Sequence, residues 1–238
     1  MTKLIPIADL DVFVATRHSL HQFAEHVLAK ARFVEDGSVE LTATAGGFAT
    51  PMLAGGRRVR LDGGAVVVDD GSSSRHTELT TIAAAAAFVG IEPGFPSELY
   101  AASTPLEPSA ALPLDLRSAE SLSAWFALTA DVLAQFAGEI VDAQPSPLVL
   151  WPEHFDQAFF TTEANESQCA NYGASPGDAG HPEPYLYVGP WSPVAKHEFW
   201  NAAHFNGAVL PLSALAGSAD EAEAALQFLR TGRALLVA

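Results

Sequence analysis

The stretch RVRLDGGAVVV, residues 58–68, decides the fold class. Two β-prone runs, 58–61 and 65–68, flank the short turn 62–64, and a glycine turn between such runs is typical of an antiparallel hairpin. A parallel α/β fold would instead place a helix between each pair of strands. The hairpin therefore predicts an α+β fold, in which antiparallel sheet packs against amphipathic helices.

Further helices and strands are predicted on both sides of this hairpin from the spacing of apolar residues. Helices are predicted over residues 16–33, 77–89 and 118–138, and after the capping box formed by Ser218 and Glu221. Strands are predicted over residues 39–44, 148–151, 154–162, 185–188 and 208–212. Each half of the chain thus runs helix, strands, helix.

The segment 92–113 separates the two halves and contains five prolines, which disfavour regular structure. A chain of 238 residues is long enough for one or two domains. The helices are rich in Ala, Leu and Phe and need broad partners, while neither half offers many strands. We therefore predict one domain over residues 1–238, with sub-halves of about 1–91 and 114–238.

The charge balance excludes several classes of partner. The chain has 28 acidic and 12 basic residues, a net charge of -16, and no basic run that would follow a phosphate backbone. Nucleic acid and anionic membrane surfaces are therefore not expected as partners. The single cysteine excludes an internal disulfide, and no apolar run approaches the length of about 18 residues that spans a bilayer. These features predict a soluble, cytoplasmic protein.

Ionisable residues that suit metal or acid–base chemistry lie in the aromatic-rich region 151–205. On the predicted strand 154–162, His154 and Asp156 would point to the same face. Farther along, Glu183 stands between two prolines that hold it extended, close to His181. These four side chains have the nitrogen and oxygen atoms that a zinc, manganese or iron site needs. The alternative is structural: a hydrogen bond between His154 and Asp156 within a strand pair, and a stiff proline turn.

Four aromatic residues of the same region are candidate walls of a pocket: Trp151, Tyr185, Tyr187 and Trp191. The alternative is that they form the thick part of a core. We predict that the segments 151–156 and 178–187 lie side by side and line one pocket. Outside this region, His18, His21 and Glu25 fall along one side of the first helix, and His21 and Glu25 are spaced as an i, i+4 pair. Metal ligation there is one hypothesis, and a solvated face is the alternative.

Three strings of this region carry a family resemblance: WPEHFDQA at 151–158, NYGASPGD at 171–178 and PEPYLY at 182–187. They resemble a family of bacterial, actinobacterial-type proteins with the motifs W-P-x-H-F-D-x-A and S-P-G-D-x(3)-P-E-P-Y-x-Y. The resemblance implies a layout and a bacterial, cytoplasmic, single-chain domain. It implies no catalytic role for any residue.

Two functions follow as hypotheses from the residues. The first is a divalent-metal-binding protein, or a metal-dependent enzyme acting on a small molecule, that uses the four ionisable residues. The second is a non-catalytic module whose aromatic pocket binds a small ligand or a protein. The oligomeric state does not follow from the sequence.

Overall fold

The computed structural model describes residues 2–163 and 165–238, and the chain folds into antiparallel sheets covered by helices. The α-helices are α1 (Leu10–Phe23), α2 (Lys30–Asp36), α3 (Ile82–Val89), α4 (Leu116–Glu139), α5 (Leu212–Leu215) and α6 (Glu221–Val237). The strands are β1 (Thr42–Thr44), β2 (Gly47–Ala49), β3 (Arg57–Asp62), β4 (Ala65–Asp70), β5 (Ser73–Glu78), β6 (Gln144–Pro145), β7 (Val149–Trp151), β8 (Asp156–Thr162), β9 (Ala170–Ser175), β10 (Tyr185–Pro190) and β11 (Ala208–Pro211). The predicted α+β class is confirmed.

Two antiparallel sheets meet edge to edge. The first has the order β1-β2-β3-β4-β5, and the second has the order β11-β10-β9-β8-β6, with β7 also paired to β8. Leu41 and Leu150 exchange two backbone hydrogen bonds of 2.9 and 3.0 Å between their N and O atoms, and this bridge joins the β1 edge to β7. None of the helices that the structure describes is both long and apolar enough to cross a membrane.

The two sheets share one register as well as one strand order. In the first sheet, one line of paired residues crosses the strands through Thr42, Ala49, Arg60, Val67 and His76. In the second sheet, the corresponding line runs through Val149, Ala158, Gly173, Tyr187 and Val209. The strands β1 to β5 therefore correspond in order to β7 to β11, while β6 has no counterpart among the strands that the structure describes. Side chains at equivalent positions of the corresponding strands can be compared directly.

The long helix α4 seals the inner face of the second sheet. Its side chains Trp125, Phe126 and Phe136 are buried, and Phe136 contacts the Tyr172 ring of β9 edge-on at 5.1 Å. Gln157 of β8 also points inward, and its amide donates to the Phe126 carbonyl (3.0 Å) of α4. Because side chains alternate along a strand, Asp156 on β8 and Gly173 on β9 lie on the opposite, outer face.

The strand β9 was not predicted, and the region around β5 differs from the predictions for physical reasons. The polar tract before the predicted helix 77–89 forms the edge strand β5, whose side chains face solvent and therefore show no apolar alternation. The helix begins only at Ile82, where the Thr81 hydroxyl accepts a hydrogen bond from Ala84 N (3.0 Å). The proline-rich segment 92–113 contains no helix or strand in the structure.

The first helix is longer than predicted and is interrupted by a π-helical segment, Ala24–Ala29. This segment contains Glu25, which is fully buried and accepts hydrogen bonds from Ser103 N (2.7 Å) and Thr104 N (2.8 Å). The predicted pairing of His21 with Glu25 is therefore replaced by contacts to distant segments. Glu25 fastens the proline-rich connection to the first helix.

Candidate functional site

A tight turn before β8 sets the position of Asp156. Phe155 adopts φ +54°, a left-handed conformation that is rare for a bulky residue, and its ring is buried. The His21 ring stacks on it at 5.1 Å, and His21 Nε2 donates to the Pro152 carbonyl at 2.7 Å. The strand therefore begins at Asp156 rather than at His154 as predicted, and His154 lies in the turn with its side chain exposed.

Asp156 is joined to Tyr187 across an intervening strand. The Tyr187 hydroxyl donates to Asp156 Oδ2 at 2.5 Å, although β9 separates β8 from β10. The Tyr187 ring crosses β9 over Gly173, where an added Cβ would lie less than 3.0 Å from Cζ, Oη and Cε1 of Tyr187. A glycine at this position is therefore required for the contact between the two side chains.

The Asp156 carboxylate is only half satisfied. It is 7% exposed, and Oδ1 accepts no hydrogen bond from the part of the chain that the structure describes. Burial raises the pKa of Asp156 to about 6, against the opposing effects of the Tyr187 hydrogen bond and the nearby His154. Burial and the Asp156 charge together hold the pKa of Tyr187 well above its usual value. The phenol therefore stays protonated and donates a hydrogen bond to the carboxylate.

Tyr185 and Asp178 form a second phenol–carboxylate pair on the same face. The Tyr185 hydroxyl donates to Asp178 Oδ2 at 2.5 Å, while Asp178 Oδ1 accepts from Gly180 N (2.6 Å) and His181 N (2.8 Å). Burial alone would raise the pKa of Asp178, but these hydrogen bonds outweigh it and hold that pKa below its usual value. Each carboxylate thus accepts a hydrogen bond from a phenol, but their pKa shifts are opposite. Asp156 is more deeply buried, whereas Asp178 accepts further backbone hydrogen bonds and lies near the Arg17 charge.

These side chains line an open cavity of about 480 Å³ on the outer face of the second sheet. Its lining includes Asp156, Ser175, Asp178, Tyr185, Tyr187 and Phe205. A second cavity of about 250 Å³ shares His154, Asp156, Asn171 and Tyr187 with it and adds the predicted wall residue Trp151. Residues of both segments, 151–156 and 178–187, therefore line the larger cavity.

Ring contacts connect the wall of the cavity to the long loop after β10. Trp191, predicted as a wall residue, contacts two lining residues: its Nε1 donates to Asn171 Oδ1 (3.0 Å) and its ring lies 5.8 Å from that of Phe160. From the same loop, Phe205 meets the Tyr187 ring edge-on at 6.2 Å. The loop thus contributes aromatic walls to the cavity.

His181 and Glu183 lie outside this cavity, so the predicted four-residue ligand set is not brought together. Glu183 accepts hydrogen bonds from Ser213 N (3.1 Å) and Ser213 Oγ (3.0 Å) at the beginning of α5, and its Oε1 lies 4.0 Å from His181 Nε2. The prolines hold Glu183 against α5 rather than toward Asp156. Among residues 2–163 and 165–238, no three His, Cys, Asp or Glu side chains are grouped so that they would hold a metal ion.

Sequence reasoning did not select Gly173, Asp178 or Phe205 as site residues. For Gly173 a signal exists, because an isolated glycine inside a strand indicates a close approach of other atoms. Asp178 follows a proline–glycine turn, and its pairing with Tyr185 depends on the path of the loop back to β10. For Phe205 the sequence carries no signal, since 17 residues of loop, 191–207, separate β10 from β11.

The first sheet shows that the fold does not require these residues. At the position equivalent to Gly173 it has Arg60, which is paired with Asp69 (Nε to Oδ2, 2.9 Å), and at the position of Tyr187 it has Val67. Two-residue turns connect β3 to β4 and β4 to β5, where the second sheet has the longer connections 176–184 and 191–207. The cavity, the phenol–carboxylate pairs and the loops around them are therefore particular to the second half.

Known proteins give no independent indication of what this cavity binds. The chain matches no protein-family model, no curated protein and no solved structure.

Proposed function

We propose that this protein binds a small organic molecule in the cavity on the outer face of the second sheet. The observation that carries the proposal is the buried Asp156 carboxylate, which lines an open cavity and accepts a hydrogen bond from the described residues at only one of its oxygens. Aromatic rings supply the walls, and the two phenol–carboxylate pairs supply the polar contacts that fix orientation.

The energetic cost of Asp156 supports a functional role. A carboxylate whose pKa lies near 6 because of burial destabilises the folded protein whenever it is ionised. The equivalent position of the first sheet is Gly47, so the same strand arrangement forms without a carboxylate there. Groups with strongly perturbed pKa values in a cleft are candidates for binding or catalysis.

Metal binding, the other hypothesis from the sequence, has weaker support. His154 and Asp156 line the cavity, but a protein site for zinc uses three or four protein ligands. Zinc, manganese or iron at this position would need further ligands from a bound molecule. Metal binding is therefore tested as an alternative outcome.

Acid–base catalysis is a second candidate function, and one observation favours it. A pKa of about 6 places Asp156 in the range where a carboxylate serves as a general base near neutral pH. In such a reaction, Tyr187 would be a positioning residue that holds Asp156 through Oδ2. Binding of the molecule on which the base acts would come first in either case.

The test is a ligand-observed NMR screen of monocyclic fragments with positive, neutral and negative charge. Gly173→Ala displaces the Tyr187 ring and should abolish binding of fragments that occupy the cavity. Gly138→Ala is the matched control, because an added Cβ at Gly138 meets no atom within 4 Å. The proposal is supported if fragments bind the unmodified protein and the control but not Gly173→Ala.

Two results would overturn the proposal. One is that no fragment binds, or that Gly173→Ala binds the same fragments equally well. The other is a rise in melting temperature with zinc or manganese chloride alone that disappears in Asp156→Asn, which would favour the metal hypothesis. Circular dichroism of each variant verifies that it is folded before binding is compared.

A further inference from the structure

We propose that the ligand of this cavity is a compact organic amine that is protonated at neutral pH. This inference rests on the proposed function and specifies the chemical class of the molecule bound. It follows from three properties of the lining: the hydrogen bonds that are already made, the charges, and the aromatic walls.

The phenols of the cavity have no proton left to donate to a ligand. The Tyr187 hydroxyl donates its hydrogen bond to Asp156 and the Tyr185 hydroxyl donates to Asp178, each over 2.5 Å. Each phenol oxygen retains acceptor capacity, and Asp156 Oδ1 accepts no hydrogen bond from the described residues. These groups are therefore satisfied by a molecule that donates hydrogen bonds.

The charges that face the cavity are negative. Asp156 and Asp178 both line it, and Glu153 lines the adjoining cavity, where its Oε2 accepts from the Tyr100 hydroxyl at 2.6 Å. Arg17 lies close enough to Asp178 to interact with its charge, but it donates to the carbonyls of Pro182 (2.7 Å) and Pro176 (3.3 Å). No lysine or arginine lines either cavity in the described part of the chain. A cation is favoured here and an anion is repelled.

The walls favour a cation with an apolar body. The rings of Tyr185 and Tyr187 lie 6.3 Å apart, and Phe205 meets Tyr187 edge-on. Aromatic faces attract an ammonium group and also bury hydrocarbon surface. His154 is exposed and lines both cavities together with Asp156. A cavity of about 480 Å³ accommodates a single-ring molecule.

The test compares three probes of similar size and different charge: cyclohexylmethylamine, cyclohexylmethanol and cyclohexanecarboxylate. Isothermal titration calorimetry on the unmodified protein at about pH 7.5 should show the amine binding roughly tenfold or more tightly than the alcohol, since a hydrogen bond to a charged group is stronger. The carboxylate should show no binding. Asp156→Asn should remove most of the preference for the amine.

The matched control is Asp69→Asn, which removes one negative charge from the equivalent face of the first sheet and should leave the preference unchanged. Equal affinity for the amine and the alcohol, or binding of the carboxylate, would overturn the inference and leave the small-molecule function standing. Failure of all three probes while other fragments still depend on Gly173 would also overturn it. If no fragment binds at all, the proposed function fails as well.

Discussion

Replacing Asp156 with asparagine should change the pH dependence of stability. Relative to the unmodified protein, the variant should be more stable at neutral pH than at acidic pH. Asparagine keeps a side-chain oxygen that accepts the Tyr187 hydrogen bond, but it does not ionise. In the unmodified protein, the folded state holds the Asp156 proton up to about pH 6, while the unfolded chain loses its proton above about pH 4. Between these values, the Asp156 contribution to stability falls as the pH rises.

The size of the effect follows from the pKa values. A rise of the pKa from 3.8 to about 6 corresponds to about 3 kcal/mol, of which about 2 kcal/mol develops between about pH 4 and pH 7.5. The free energy of unfolding of Asp156→Asn minus that of the unmodified protein should therefore increase by about 2 kcal/mol over this interval. In a chain of this size, 1 kcal/mol shifts the melting temperature by roughly 2–4 °C.

Urea unfolding at several pH values, followed by circular dichroism, measures this difference. Asp178→Asn is the matched control. Asp178 also accepts a hydrogen bond from a phenol, that of Tyr185, but its pKa is held below its usual value. Its contribution to stability is present above about pH 4 and is lost only at lower pH. The difference for Asp178→Asn should therefore be constant between about pH 4.5 and 7.5. A constant difference for Asp156→Asn as well would refute the assignment of Asp156 as a half-satisfied buried carboxylate.

Three further substitutions test the arrangement around Asp156. Tyr187→Phe should lower the free energy of unfolding at pH 7 by about 1–3 kcal/mol, because it leaves both Asp156 oxygens without a donor; equal losses in Tyr185→Phe, measured by urea unfolding, would contradict this. Gly173→Ala should lower the melting temperature because the new Cβ meets the Tyr187 ring, and an unchanged tyrosine hydroxyl resonance by NMR would argue against the clash. His21→Gln should reduce the stability that is lost between about pH 6.5 and 4. Burial lowers the pKa of His21 to about 4, so the unfolded chain binds the proton at a higher pH than the folded protein does. Acid unfolding at the same pH in both proteins would count against this.

The antiparallel fold could be predicted from the sequence because its signals are local. Two such signals are the turn after Arg60 and Leu61 and the apolar face of α4. Each is recognised from residues that lie within about ten positions of one another. The strand β5 was missed because both of its faces are polar, and burial is the signal on which a prediction of a strand depends. The beginning of β8 was misplaced because nothing in the sequence indicates that Phe155 adopts a positive φ.

The candidate site could be predicted only in part, because its geometry depends on contacts between distant strands. The sequence predicts Tyr185 and Tyr187 as candidate wall residues, and it predicts that segments 151–156 and 178–187 lie side by side. The separation of Glu183 from Asp156 was not readable, since it depends on where α5 lies. The half-satisfied state of Asp156 likewise depends on tertiary packing, which could not be predicted from the residues near it in sequence.

The bridge between Leu41 and Leu150 relates the two sheets as the two subunits of a symmetric dimer are related. Its register sets Thr42 opposite Val149, which are equivalent residues of the two sheets, as at the twofold axis of a homodimer. In a homodimer, any substitution appears on both subunits, so a destabilising carboxylate would be present twice. Because one covalent chain contains both halves, the Asp156 carboxylate is present only once, while the corresponding face of the first sheet has the ion pair of Arg60 and Asp69.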